Sequence, residues 1–247
     1  MTAGQLFKAG KLNEAVQALS AELRDNPADT QRRTFLFELL CFSGAYDRAE
    51  KHLDILAQAN KDAQLGALLY AGALSADRTR SEMFQKKTYP QEPAGSEAAA
   101  LAGTLNGKPF TSFEDADPRL SGKLEVFAAG NYMWLPMEHV ASIEMEAPKK
   151  LRDLLWVPAL VRTGPAFKGR ELGEVLLPVL TPLSYTHPDD NVRLGRATEW
   201  QEIDGGMIAP AGQRCFLVDD EEFPILEVRS LEFQVPETAT DQHAAAQ

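Results

Sequence analysis

The chain lays down one unit twice within its first sixty residues. Gly10-Lys11-Leu12-Asn13-Glu14-Ala15 returns as Gly44-Ala45-Tyr46-Asp47-Arg48-Ala49, and Gly10 to Gly44, Leu12 to Tyr46, Ala15 to Ala49 and Leu19 to Leu53 are each 34 positions apart. A period of that length belongs to stacked helix–turn–helix units, which bury their apolar faces only against one another. The residue types suit it. The glycine falls in the tight turn between two helices, where a side chain would block close approach. The alanine falls where the second helix crosses the first. Pro27, 12 residues after Ala15, closes the first copy; Lys61 stands at the equivalent place in the second, a degenerate ending.

Two copies and a following helix predict a short tetratricopeptide-like array, of a kind that generally binds peptides or helices. Helices are expected over residues 2–9, 12–24, 30–43, 46–58 and 63–84. Leu12, Ala15, Val16, Leu19 and Leu23 recur at helical spacing. Asp25-Asn26-Pro27 ends that helix, because proline disfavours helix in the residue before it, and Asp29 or Thr30 caps the next. In the fifth helix Leu65, Leu68, Leu69, Ala73 and Leu74 are expected to face inward, with the charged stretch 77–80 closing the array.

Residues 89–100 contain Pro90, Pro93, Gly95 and Ser96 and read as a linker between a helical domain, 1–88, and a second domain, 101–236. Limited proteolysis is expected to cut there and release two stable fragments. Past the linker the period shortens. Residues 124–127, 132–135 and 140–145 read as strands, with Ala129-Gly130 as a hairpin turn. Residues 156–161 are a further strand, which Pro158 assigns to an edge or a bulge. Residues 175–183 are apolar but broken by Pro178 and Pro182. Residues 215–218 and 226–233 complete the set, the last with Leu226 and Val228 inward and, after a break at Ser230, Leu231 and Phe233. The expected class is α+β: an N-terminal TPR-like helical array followed by a compact, mostly antiparallel β-rich domain. Residues 237–247 read as a disordered tail. Charge follows the same division, since of the net −11 the first 100 residues carry −1 and the rest −10.

That charge argues against a nucleic-acid or anionic-membrane binder. No apolar run approaches the roughly 20 residues of a membrane span, and no apolar leader opens the chain, so a cytoplasmic protein is expected. Cys41 and Cys215 offer neither a disulfide framework nor zinc spacing. There is no nucleophile elbow, phosphate loop or dinucleotide fingerprint. Residues 164–170 lack the Gly-Lys-Ser/Thr ending and read as a flexible loop. His187-Pro188-Asp189-Asp190 reads as a turn rather than a metal site, and Asp115, Asp117 and Arg119 as an ion pair holding a loop. The expectation is therefore no catalysis, no cofactor and no metal. A competing reading, a hydrolytic or metal-dependent enzyme in the β-rich domain, requires those carboxylates, Arg119 and His187 to meet in one pocket. A third is a scaffold that acts by self-association. For an adaptor, the first helix of each repeat lines the concave side, which makes Arg32, Arg33, Phe35, Leu36 and Leu39 candidate partner contacts. Arg32 and Arg33 read as exposed charges able to pair with acids beside a bound helix, and as replaceable without loss of fold. Arg193, Arg196 and Trp200 concentrate two arginines beside a tryptophan, a mixture enriched at interfaces, with a buried tryptophan and solvated arginines as the equal alternative.

Several segments resemble one family. They are Glu114-Asp115-Ala116-Asp117-Pro118-Arg119-Leu120; Leu124-Glu125-Val126 with its hairpin into Tyr132-Met133-Trp134-Leu135-Pro136; Arg193-Leu194-Gly195-Arg196-Ala197-Thr198-Glu199-Trp200; Gly212-Gln213-Arg214; and Pro224-Ile225-Leu226-Glu227-Val228-Arg229. With the repeats, they are similar to the ImpE/TagJ (SciE-type) accessory proteins of the bacterial type VI secretion system over residues 4–235. The resemblance implies a cytoplasmic, non-catalytic protein that binds the small subunit of the contractile sheath through that subunit's N-terminal helix. It also implies an indirect link to the AAA+ ATPase that recycles the sheath. It supplies no catalytic residues and does not assign the partner groove residue by residue.

Overall fold

The computed structural model describes residues 1–90, 101–164, 167 and 172–234. Five helices come first: α1 (Ala3–Lys8), α2 (Leu12–Asp25), α3 (Thr30–Phe42), α4 (Tyr46–Ala57) and α5 (Lys61–Lys86). Each packs on the next in chain order. Asp29 caps α3 by accepting from the Arg32 amide at 2.9 Å, and Asn60 caps α5. Gly10 and Gly44 turn the chain at φ of +72° and +69°. α2 and α4 are amphipathic, burying Leu12, Ala15, Val16, Leu19 and Leu23 on one and Ala49 and Leu53 on the other. α3 differs. It buries Arg33 and every residue from Leu36 to Phe42, as only a helix with neighbours all round does.

The strands are β1 (Gly103–Leu105), β2 (Lys108–Phe110), β3 (Phe113–Asp115), β4 (Lys123–Ala128), β5 (Asn131–Pro136), β6 (Val140–Met145), β7 (Trp156–Thr163), β8 (Gly173–Pro178), β9 (Thr198–Ile203), β10 (Met207–Gly212), β11 (Cys215–Val218), β12 (Glu221–Pro224) and β13 (Ser230–Phe233). Eight form one sheet in the order β2-β1-β13-β6-β7-β8-β4-β5. β12-β11-β3 forms a second sheet and β9-β10 a hairpin, and every pairing is antiparallel. A four-residue helix, α6 (Asp190–Arg193), precedes β9. The fold is α+β as expected, helical array first. Ala129 and Gly130 make the β4–β5 turn, both with positive φ.

Four expectations are corrected. β7 is an interior strand despite Pro158; its pairing with β6 stops at Ala159↔Met145, so no β6 bond is asked of the proline. Residues 225–227 form a 3₁₀ turn, and the last strand begins only at the break at Ser230, with Leu231 and Phe233 buried. Leu65, Leu68 and Leu69 face out, at 68%, 72% and 53% exposure, because none of the described residues covers them. Asp77 and Arg80 do not cap the array; they are buried where the C-terminal half of α5 packs on β4 and β5.

One apolar cluster runs through both parts, joining Leu36, Phe37 and Phe42 to Phe127, Trp156 and Leu194. A second lies within the β-rich part, around Phe113, Val126, Phe216 and Leu231. Tyr89 packs against Phe84 and Trp134. Residues 91–100 of the expected linker, most of the loop at 164–170 and the expected tail lie outside the described residues.

Candidate partner-binding surfaces

The segment from β8 to β9 is seated on the turns of the helical repeats. A Cβ on Gly10 would meet Asn191 Oδ1 at 2.6 Å, and one on Gly44 would overlap the ring of Tyr185. The Leu12 amide donates to Asp190 Oδ2 at 2.7 Å, and the other oxygen of Asp190 accepts from Arg193 at 2.7 Å. Arg193 is buried and also donates to Asn13 Oδ1 at 3.3 Å. Arg196 donates to the carbonyls of Phe7 and Lys8 at 2.8 and 3.2 Å, with its guanidinium 4.6 Å from the Phe7 ring centroid. Both arginines thus hold the β-rich part against the first repeat.

Of the contacts expected on α3, Leu36 and Leu39 are buried at 1% and 0% exposure, and Phe35 packs edge-on against Phe7. Arg32 is exposed and paired with Glu22 and Asp29. Arg33 is not the exposed charge its sequence position suggests. Its guanidinium is buried against the Pro27 carbonyl and lies 3.2 Å from His52 Nδ1. A glutamate there would give up the bond to the Pro27 carbonyl and set a carboxylate against it, so joint reversal of Arg32 and Arg33 is expected to cost stability. Trp200 remains at the surface, its indole N–H donating to Glu222 at 2.9 Å.

Asp115, Asp117 and Arg119 lie in one stretch, the Asp117 amide donating to Asp115 Oδ1 at 2.9 Å, whereas among the described residues no hydrogen bond or ion pair links His187 to them. Asp115 holds Arg214, with Nε at 2.6 Å. Asp117 holds Arg119 through two guanidinium nitrogens at 2.8 and 2.6 Å. His187 Nδ1 accepts from the Asp189 amide at 3.1 Å, in the turn that leads into α6. Among the described residues no group of three or more His, Cys, Asp or Glu is placed to hold a metal ion.

The buried charges instead join helix to sheet. Arg80 of α5 makes two 2.7 Å bonds to Glu125 of β4 and a 2.9 Å bond to the Leu180 carbonyl. Tyr132 donates to Glu125 at 2.5 Å, Arg214 approaches it at 3.5 Å, and Trp156 donates to Asp77 at 3.3 Å. Burial pushes the Asp115 carboxyl up to about 6, although the Arg214 charge opposes it. Burial raises Asp77 as well. For Glu125 burial also acts upward, but the charge and hydrogen bonds of Arg80, with Arg214 behind, hold it below the ordinary value.

The profile of the ImpE protein family matches residues 107–232. The chain is 33% identical to the type VI secretion system accessory component TagJ of Pseudomonas aeruginosa over 265 aligned positions, spanning 95% of this chain and 92% of that protein. The chain belongs to the ImpE family. The crystal structure of protein VPA1032 from Vibrio parahaemolyticus shares the fold of this ImpE chain, with a TM-score of 0.82 over 94% of this chain and 97% of that one, at 22% identity.

In this ImpE protein Phe35, Leu36 and Leu39, expected to face a partner, are taken up by the packing of the chain itself. Another surface is open. A groove of about 940 Å³ runs between α5 and β6, β7 and β8, lined by Leu69, Tyr70, Pro158 and Leu160 and by charged side chains, among them Glu144, Glu146, Lys149, Lys150 and Glu174. Leu65 and Leu68 extend the Leu69 wall along the helix at spacings of four and one. The sequence held the signal, three leucines on one helical face, but read it as core.

Proposed function

We propose that this ImpE protein is a non-catalytic, cytoplasmic adaptor of the type VI secretion system. It holds the small subunit of the contractile sheath by that subunit's N-terminal helix, and so serves sheath assembly or its recycling by the AAA+ ATPase. Relationship to the accessory component TagJ supports the setting. The observation that carries the binding mode is the exposed stripe Leu65, Leu68 and Leu69 beside a groove of mixed apolar and charged lining, an arrangement that suits an amphipathic helix. Each leucine contributes roughly 1.5–3 kcal/mol when fully buried, enough to anchor such a contact against the cost of association. Arg32 and Trp200, both exposed, are secondary contacts in this proposal.

The test is a pull-down of the purified small sheath subunit by wild-type protein and by a Leu65→Glu/Leu68→Glu variant. Both positions are exposed, so circular dichroism and melting should be unchanged. Wild type should retain the subunit, lose it when the subunit's N-terminal helix is deleted, and hold it at least about tenfold more tightly than the variant does. A wild-type protein that retains nothing ends the adaptor reading. Equal retention by the variant removes α5 from the interface.

A further inference from the structure

A second groove, of about 550 Å³, is lined by α2, α3 and α4 alone. Its floor is apolar, formed by Val16, Leu23 and Leu36. Its charged lining is cationic, Arg24, Arg33 and Arg48, beside the neutral Gln17 and Ser20 and with His52 against Arg33. No carboxylate lines it.

This is unusual for a chain of net charge −11. The other arginines of the array are paired with carboxylates: Arg32 with Glu22 and Asp29, Arg78 with Asp47 and Glu50, and Arg80 with Glu125. Arg24, Arg33 and Arg48 have no carboxylate partner among the described residues. Arg33 is 9% exposed, and its guanidinium is met only by a carbonyl and an imidazole, both neutral groups. A buried cation without a counter-charge is costly, and here two further guanidinium groups stand over the same groove. Burial and the charges of Arg33 and Arg48 lower the pKa of His52, as expected of an imidazole beside uncompensated cations.

We propose that this groove binds carboxylates of an acidic peptide segment of a partner protein. Guanidinium groups match carboxylates in a two-bond fork, and Arg24 of α2 and Arg48 of α4 both line the groove. The apolar floor, and Ile55 at 47% exposure less than one turn beyond His52 on α4, favour a peptide with apolar residues between its acids over a small inorganic anion. The site is separate from the α5 face and does not rest on the sheath-subunit reading.

The experiment is fluorescence anisotropy at low salt with a short labelled peptide of Glu and Leu residues, beside the same peptide with Lys in place of Glu. Inorganic phosphate serves as a competitor. The acidic peptide should bind and the basic one should not. Arg24→Gln/Arg48→Gln, at two exposed positions, should weaken binding about tenfold or more with unchanged melting, whereas Arg78→Gln, outside the groove, should leave it intact. Rising salt should weaken the wild-type interaction. The proposal is overturned if the acidic peptide does not bind, if the double variant binds it equally well, or if Arg78→Gln weakens it as much. It also falls if phosphate binds the groove and the peptide does not.

Discussion

At residue 44 two demands meet on one atom. The turn between α3 and α4 requires φ of +69°, which a residue with a Cβ adopts only under strain, and the ring of Tyr185 stands where that Cβ would be. Tyr185 is itself held, edge-on to Tyr46 and with its hydroxyl accepting from Gln85 at 2.7 Å, so it does not yield freely. Gly44→Ala should therefore cost about 1–3 kcal/mol in chemical denaturation. In a Tyr185→Ala background the cost should fall to the backbone strain alone, about 1 kcal/mol. Equal costs in the two backgrounds would show that the ring is not the obstacle. The 34-residue period made the turn legible, but not its second role, because the residue that lands there comes from the other part of the chain. Arg33, Arg193 and Arg196 were illegible for a related reason. In a sequence a charge reads as solvent-facing, yet a guanidinium carries five donors on a long stem. These end on the Pro27 carbonyl, on Asp190 and Asn13, and on the carbonyls of Phe7 and Lys8, acceptors that no spacing announces.

Among the elements, α5 shows most clearly where pattern reading stops. Its 26 residues span about 39 Å, and apolar residues recur along much of that length. Helical spacing groups Leu65, Leu68 and Leu69 on one face, but it carries no information on whether anything lies opposite; here none of the described residues does, and they are exposed. The C-terminal half runs under β4 and β5, and there the residues that look most solvent-seeking, Asp77 and Arg80, are the buried ones. β4 to β7 were readable as short apolar runs, whereas β9 and β10, six residues each, gave no such signal, and β1, β2 and β3, at three residues each, are too short to show any. The Arg80–Glu125 pair gives the α5–sheet contact its test. Arg80→Ala leaves Glu125, at 0% exposure, without its main counter-charge and should cost about 3–5 kcal/mol. Arg80→Met combined with Glu125→Gln removes both charges while leaving Tyr132 an acceptor, and should recover at least half of that loss. A double variant as unstable as Arg80→Ala would mean that the pair is not coupled.

For the molecule as a whole, the composition of residues 89–100 alone suggests two parts that separate when cut, but three kinds of contact oppose separation. An apolar cluster joins Leu36, Phe37 and Phe42 to Phe127 and Trp156. Arg80 is shared between α5, Glu125 and the Leu180 carbonyl. The repeat turns at Gly10 and Gly44 receive Asn191 and Tyr185, and the Leu12 amide is bound by Asp190. Parting the halves would expose the apolar cluster and leave Arg80 and Glu125 each without the other, so the parts should stay together after the connection is cut. A site-specific protease sequence placed between Glu92 and Pro93 makes the test clean. After cleavage the two fragments should co-elute in gel filtration at the mass of the intact chain and unfold in a single transition by both far-ultraviolet circular dichroism and tryptophan fluorescence. All three tryptophans lie in the β-rich part, and Trp156 packs against Tyr70 and Asp77 of α5, so fluorescence reports the junction itself. Should the helical fragment elute alone with its circular dichroism intact, the helices are stable without the sheet and the shared core contributes little. Co-elution with Arg80→Ala weakening the association would place the hold on the buried pair.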